Sequence, residues 1–467
     1  MKVSNQLIVS PNEKCYCKVF NYCKEHLVIP NPDYIKKARM GFYIGNTPKT
    51  LQLYEIVGGN IVLPYGALRD ILELGEDIEI INEFKRADDV DYECSVPLYD
   101  YQVEAMNQMK KGYYGILQSR AGSGKTQIGI ALISELKRRS LWLCTTKDLL
   151  KQSKERAEMY MNPDTIGTIT EGKVNIGSGI TFATVQTMCR LDLQKYEHQW
   201  DVVIVDECHR CAGTPTAMSQ FSKVLSSLAA RHKYGLSATV HRSDGMIRAT
   251  YALLGDVIYT VPDEAVSDKI MTVGIRPTST GVKISRECQN TDGTLNYTKL
   301  ITYLCENSHR NHLIGSWIVS EADHSSLILS DRLEHLETLM ATLPQKMREQ
   351  AVMISGKMTS KKGKAEREQA IEDMRQGKKK YLFATYSLAK EGLDIPRLER
   401  LYLTTPQKDY AVITQSIGRI ARTFEGKQDP ICFDFVDDIG YLVKSYKLRC
   451  STYKKNGCYF VGGGNNE

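Results

Sequence analysis

The sequence predicts an α/β protein: two tandem doubly wound domains with mostly parallel sheets, preceded by a small α+β module. Three observations predict it. Residues 115–126 read Gly-Ile-Leu-Gln-Ser-Arg-Ala-Gly-Ser-Gly-Lys-Thr, a short apolar run that passes through a glycine turn into a helix-periodic stretch ending at Leu136. Strand-like and helix-like runs then alternate from Ser140 to Ser237, the pattern of a parallel sheet covered by helices. A second series of apolar runs lies between Ser326 and Phe435, separated by charged stretches and lacking a second glycine-rich phosphate loop. At 467 residues the chain has room for about three domains of roughly 150 residues each. The expected boundaries are 1–92 for an accessory module and 93–265 for the first α/β domain, with 266–467 holding a connection, the second α/β domain and a tail.

The accessory module carries a strand at Leu7-Ile8-Val9 and a hairpin whose arms are 51–57 and 61–64, turned by Gly58-Gly59-Asn60. A short helix is expected over 65–74, and the acidic stretch 76–91 marks a boundary. Lysines and aromatics interleave at Tyr34-Ile35-Lys36-Lys37 and Gly41-Phe42-Tyr43, a pattern that suits contact with nucleic acid and equally suits a solvated face over a core. Pro97-Leu98-Tyr99-Asp100-Tyr101-Gln102 opens a helix to about Met109. The amide of Gln102 both donates and accepts, so it can read adenine, although a helix-surface glutamine explains it as simply.

In the glycine loop, backbone N–H groups of Ala121, Gly122, Ser123 and Gly124 and the following helix N-terminus suit phosphate oxygens. Lys125 reaches the β/γ oxygens and the Thr126 hydroxyl suits Mg²⁺, so ATP with Mg²⁺ is expected. Ser119 stands where the full pattern has its first glycine. Downstream, Ser140–Thr146 and Ile180–Thr184 read as strands, each followed by a helical start. Asp201-Val202-Val203-Ile204-Val205-Asp206-Glu207-Cys208-His209 is a central strand ending in two carboxylates. Buried acids need a cation: Asp206 suits Mg²⁺ beside Thr126, and Glu207 suits orientation and deprotonation of an attacking water. Small hydroxyl residues at Ser237 and Thr239 can bond these acids.

Residues 262–296 read as a connection with strand-like pieces such as Val273-Gly274-Ile275, and a helix is expected over 297–319. The second series has strands at 326–329, 352–354, 380–384, 401–403 and 431–435, with a charged helix over 361–375. The loop 385–396 follows a strand end, and Gln415-Ser416-Ile417-Gly418-Arg419-Ile420-Ala421-Arg422 places two arginines three apart on one helix face. An arginine from a second lobe can stabilise charge on a γ-phosphate.

Composition agrees with a soluble protein: 42% hydrophobic, 25% charged and a net charge of +6 that admits nucleic acid without requiring it. No run of 18 apolar residues spans a membrane, and the first residues lack the apolar core of a signal peptide, so a cytoplasmic location is expected. The 13 cysteines are scattered through apolar segments and read as reduced thiols. Cys15, Cys17 and Cys23 lack a second ligand pair, and Cys208 and Cys211 overlap the acidic strand end, so neither zinc nor iron–sulfur is expected.

The ordered set Tyr101-Gln102, 121–126, 206–209, 237–239, 385–394 and 415–422 resembles the superfamily 2 helicases and translocases of DExH type, over roughly residues 95–440. Residues 236–245 are similar to the Ser-Ala-Thr-Pro-x-Arg-x-Asp segment of XPB-like DNA helicases, with Val240 in place of proline. The compact length and small N-terminal module resemble phage-encoded branched-DNA helicases of the UvsW kind. The resemblance implies two RecA-like lobes with ATP between them. Gln102 would read adenine, and Lys125, Thr126, Asp206 and Glu207 would act from the first lobe. Arg419 and Arg422 would reach from the second, with Arg422 the preferred finger, and Gly392 and Asp394 would touch the nucleotide. Gln415 and His209 would couple the lobes, and Thr145, Thr184, Gln186, Arg242 and Thr385 would hold the phosphodiester backbone.

The implied activity is ATP-dependent unwinding or branch migration of forked, branched or single-stranded DNA by a monomer, in the host cytoplasm where the chain is phage-encoded. A DExH RNA helicase and a double-stranded DNA translocase subunit of a restriction or remodelling complex are the alternatives. The absence of a nuclease-like acidic cluster favours the stand-alone helicase.

Overall fold

The computed structural model describes residues 1–75, 78–85, 89–212, 214–238, 245–266, 270–356, 358, 360–390 and 393–462. Thr239, Arg242 and Gly392 lie outside the described residues, as do Val240 and parts of the acidic stretch 76–91. The chain forms two compact units: Met1–Arg120 with Gly124–Pro262, and Asp263–Glu467 with the loop residues Ala121–Ser123.

The first unit is built on an eight-stranded sheet ordered Lys173–Asn175, Ile166–Thr170, Ile180–Thr184, Ser140–Cys144, Val202–Asp206, His232–Ser237, Tyr114–Gln118 and Val257–Thr260. All neighbours are parallel except the edge hairpin of Lys173–Asn175 with Ile166–Thr170. Ser140–Cys144, Ile180–Thr184 and Val202–Asp206 are buried along their whole length, which is why they read as unbroken apolar runs. Parallel pairing brings the carboxyl ends of Tyr114–Gln118, Val202–Asp206 and His232–Ser237 to one edge of the sheet. The strands Ile166–Thr170 and Val257–Thr260 were not expected; both lie toward a margin of the sheet, glycine and threonine break the apolar run of the first, and the second is only four residues long.

Residues 1–92 pack onto this sheet as part of the same unit. Their five-stranded sheet runs Glu55–Val57, Asn60–Pro64, Gln6–Val9, Lys2–Val3, Ile81–Asn82. The hairpin differs from the expected one: only Glu55–Val57 pairs with Asn60–Pro64, through Gly58 and Gly59 at φ 57° and 83°, while Thr50–Gln52 pairs with Val28–Pro30. The division falls at Leu53 and Tyr54, which turn inward to the core. That core, with Leu7, Val19, Ile61 and Ile71, continues into Tyr114 and Ala252 of the large sheet's layer. Lys233 is fully buried at the junction, where its Nζ donates to the Leu225 carbonyl at 2.9 Å and the Asn5 carbonyl at 3.2 Å. The Tyr65 ring centroid lies 5.0 Å from the same ammonium.

The second unit has a seven-stranded, wholly parallel sheet: Ala351–Ile354, Tyr381–Thr385, Ser326–Ser330, Arg400–Leu403, Ile431–Val436, Gly274–Ser279 and Tyr459–Phe460. Two expectations are corrected here. The strand-like piece at Val273-Gly274-Ile275 is not part of a mere connection but begins Gly274–Ser279, a strand of this sheet beside Ile431–Val436. The single helix over 297–319 is two, Tyr297–Glu306 and Ser308–Ser320. Asn307 parts them: its backbone is extended (φ −69°, ψ 108°) and its side chain accepts the Arg310 N–H at 2.9 Å as an N-cap. Inside the unit, Asp434 accepts two bonds from Arg449 at 2.8 Å and one from the Tyr453 hydroxyl at 2.6 Å, so the buried carboxylate is fully paired. Among the described residues no helix is long and apolar enough to cross a membrane.

His335 is buried between Ser330 Oγ and Asn311 Oδ1, each at 3.0 Å. Burial, helped by the Arg310 charge, pushes its imidazole down from 6.5 to about 3. The unfolded chain therefore binds the extra proton between those values, and stability is lost as pH falls below about 6.5. Urea unfolding followed from neutral to acid pH should show this slope, and His335→Gln should flatten it.

Candidate active site

The glycine loop is shaped by backbone demands that only glycine meets cheaply. Gly122 and Gly124 take φ 89° and 80°, and Gly124 caps the helix Lys125–Leu136 in the left-handed conformation. A Cβ on Gly124 would collide with Nε2 of Gln102. Gln102 is only 2% exposed, and its Oε1 accepts the Tyr99 N–H at 2.9 Å. It is therefore a buried neighbour of the loop, and the simple helix-surface alternative does not hold. Ser119 continues the sheet by donating its N–H to the Ser237 carbonyl at 3.0 Å. Lys125 is buried with its Nζ on the carbonyls of Ser119 and Arg120, at 3.2 and 3.3 Å. Ser123 is buried, while Ala121 and Thr126 are half-buried.

Asp206 ends its strand in a buried position. Its two oxygens accept the Glu207 N–H at 3.0 Å and the Ser153 hydroxyl at 3.1 Å. Burial, then the neighbouring Glu207 charge, pushes the Asp206 carboxyl above the usual carboxylate range, against the pull of Lys125. Glu207 has φ 49°, a left-handed backbone that costs a side-chain-bearing residue about 1–3 kcal/mol. Burial works to raise its pKa, but His209 and Lys125 outweigh it and hold the carboxylate ionised. His209 Nδ1 stands 3.2 Å from Glu207 Oε2 and 3.0 Å from Ser237 Oγ, so the three side chains form one chain of contacts.

Glu207 Oε2 is buried, and its contact with His209 Nδ1 at 3.2 Å holds it. A raised Asp206, a half-buried threonine at the second helical position and a loop turned by left-handed Gly122 and Gly124 suit a nucleotide triphosphate with its divalent cation.

Thr145, Thr184 and Gln186 share one cavity of about 430 Å³, which Lys147, Thr187 and Arg190 also line. Gln186 Nε2 donates to the Thr145 carbonyl at 2.9 Å, and the hydroxyls of Thr184 and Thr187 lie 2.9 Å apart. Arg210 donates to the Thr145 hydroxyl at 3.4 Å, which ties this groove to the loop after Glu207.

In the second unit, Arg419 lies in the last turn of the helix Tyr410–Ile420, whereas Arg422 falls beyond its end, so the two do not share one helix face as expected. Arg419 donates to the Leu393 carbonyl at 3.0 Å, and Arg422 is ion-paired with Asp394. Gln415 is 7% exposed, with its Oε1 buried and unpaired. Thr385 ends its strand, its hydroxyl 2.9 Å from that of Ser387. Lys427 completes the arrangement, donating to the carbonyls of Pro396 at 3.1 Å and of Ile420 and Arg422 at 2.7 Å. Burial pushes its ammonium down to about 8.

Three contributors escaped the sequence reading: Ser153, Arg210 and Lys427. Ser153 had a visible signal, a serine on the helix face otherwise built from Leu149, Leu150 and Ala157. Arg210 acts on Thr145, far away in sequence, and Lys427 acts on main-chain carbonyls, which no residue type marks.

The family model described as "Type III restriction enzyme, res subunit" matches residues 95–242, and "Helicase conserved C-terminal domain" matches 308–424; together they take in more than half of the chain. "Probable helicase D10" of Escherichia phage T5 is 26% identical over 343 residues, 73% of this chain and 72% of that one. "Putative ATP-dependent RNA helicase L396" of Acanthamoeba polyphaga mimivirus is 26% identical over 438 residues, 91% of this chain and 78% of that one. "DNA 3'-5' translocase XPB2" of Sulfurisphaera tokodaii is 24% identical over 368 residues, 70% and 79% of the two chains.

Replacing Lys427 by methionine leaves three carbonyls without their shared donor, a loss of about 1–3 kcal/mol for each buried acceptor. Hydrogen exchange in Lys427→Met should therefore quicken by at least about tenfold over 393–397 and 419–424, with the central strands unchanged. Lys427→Arg should restore part of the protection.

Proposed function

The chain belongs to the superfamily 2 helicases, and on that premise we propose that it is an ATP-driven DNA helicase or translocase that unwinds or branch-migrates forked or junction DNA in replication, recombination or repair. The observation that carries the ATPase part is the meeting of Lys125, Asp206 and Glu207 around one glycine loop, with Glu207 kept ionised by His209 and Lys125. Lys125 would exchange its loop carbonyls for phosphate oxygens. Thr126 and Asp206 would hold Mg²⁺, which supplies charge neutralisation on the phosphates when bound. Glu207, kept ionised beside His209, would orient the attacking water and take its proton on the carboxylate. Gln102, buried beside the loop, would read the base with its amide. From the second unit, Arg419 and Arg422 would neutralise charge developing on the transferred phosphate, and Asp394 would release Arg422 for that role.

His209, touching both Glu207 and Ser237, would report the state of the acid to the loop that follows Ser237. Thr145, Thr184 and Gln186 would hold the phosphodiester backbone, with Thr385 doing so from the second unit. Contacts of this kind grip a strand without reading its sequence, which suits stepping along it.

The printed name of the Sulfurisphaera relative, a DNA translocase, supports DNA as the track. The mimivirus relative's name favours a second reading, an RNA helicase, because backbone contacts discriminate the two acids weakly. The restriction-enzyme description of the first family model favours a third, a motor that translocates without unwinding.

Lys125→Ala and Glu207→Gln should each lower nucleic-acid-stimulated ATPase by at least about a hundredfold; either variant within twofold of wild type overturns the site assignment. ATPase and strand-separation assays over forked, four-way and single-stranded DNA and matched RNA should give the strongest response with forked or four-way DNA. A stronger response to RNA overturns the DNA assignment, and ATPase without strand separation moves the chain to the translocase reading.

A further inference from the structure

The excursion between the strands Val28–Pro30 and Thr50–Gln52 is ordered, yet it is not packed for the sake of a core. Its helix, Pro32–Arg39, has no buried residue. It is held instead by local polar contacts: Asn31 caps the helix through the Asp33 N–H at 3.0 Å and donates to the Pro48 carbonyl at 2.8 Å. Lys37 Nζ bonds the Thr47 hydroxyl at 2.6 Å, and the Phe42 N–H returns to the Lys37 carbonyl at 2.9 Å. At the tip, Phe42 is 61% exposed and Tyr43 91% exposed, with Met40 also at 57%. Gly41 beside them takes φ 65° in open space, so the backbone turns here without being forced by a neighbour.

Two large rings left in water on a well-tied loop are costly unless a partner covers them. The charge around them selects that partner. Residues 31–50 carry Lys36, Lys37, Arg39 and Lys49 against the single carboxylate of Asp33. The partner is therefore anionic and offers flat apolar faces, and unpaired nucleotides combine both properties. The base of the excursion is fixed to the motor: Ile29 and Leu51 pack with Ala212, Met246 and Ala249, and Ala212 lies just beyond the loop that holds Glu207 and His209.

We propose that Phe42 and Tyr43, flanked by Lys36, Lys37, Arg39 and Lys49, form a stacking platform for unpaired bases of a nucleic-acid strand. This rests on the nucleic-acid reading above and gives the accessory module its ligand: a single-stranded arm, engaged by ring faces and phosphate charge. Paired bases hide their faces, so a blunt duplex would not use the rings.

The test is fluorescence anisotropy with the full chain and labelled oligothymidylate, oligouridylate and a blunt duplex. Both rings are exposed, so substituting them removes no core contact. Phe42→Ala/Tyr43→Ala should weaken binding of the single strands by at least about tenfold and the duplex by less than twofold. Phe42→Leu/Tyr43→Leu should weaken it as far, while Tyr43→Phe should bind like wild type. Undiminished single-strand binding by the alanine pair overturns the platform, as does rescue by the leucine pair, which would mean an apolar contact and not stacking. Failure of the wild type to bind any probe overturns the nucleic-acid reading itself, and so stays distinct from failure of the platform.

Discussion

The burial of one carboxylate governs the first unit. Asp206 ends a strand whose every residue is buried, and a charge there persists only with donors around it. Those donors come from separate elements: the Glu207 amide from the strand's own end and the Ser153 hydroxyl from the helix Lys147–Glu158. Lys125 adds positive charge from the glycine loop. Glu207 follows directly, with a left-handed backbone at φ 49°. Parallel pairing then carries Ser237 to the same edge, where its carbonyl anchors Ser119 and its hydroxyl meets His209. The phosphate loop and the acids are thus two ends of one bonded arrangement.

The second unit organises its candidate residues differently. Arg419, Arg422 and Lys427 are directed at main-chain carbonyls and at Asp394, so the loop beginning at Leu393 and the helix end at Ile420 behave as one piece. A lowered Lys427 is consistent with this, because the ammonium trades water for three carbonyl oxygens. In the accessory region the logic is again burial. Lys233 spans the junction with Asn5 and Tyr65, which joins residues 1–92 to the large sheet through a shared core and a buried cation.

Legibility differed from element to element for physical reasons. The glycine loop could be read because its backbone shape requires glycine at two positions, a demand that survives in any context. The buried parallel strands could be read because burial on both faces forces continuous apolar runs. Gln102 was harder: its residue type permitted the role, but only packing against Gly124 removes it from the surface. Asn307 was legible in principle, since asparagine is a strong N-cap and the run 306–312 around it is polar throughout. Val273-Gly274-Ile275 read as strand-like, but its extension over Arg276, Pro277 and Thr278 and its place in the sheet were hidden, because the partner strand lies far along the chain.

By itself the sequence determined the two-sheet architecture, the glycine loop, the acidic strand end and the helix that carries Arg419, because each depends on residues adjacent in the chain or one helical turn apart. Tertiary structure alone decided that Glu207 stays ionised while Asp206 is pushed the other way, since these states depend on His209, Lys125 and burial acting together. It also decided that Thr145, Thr184 and Gln186 share one groove and that Lys427 ties the arginine segment to the loop before it. Hydrogen-bond partners and desolvation are set by what lies opposite in space, and chain spacing carries no record of that.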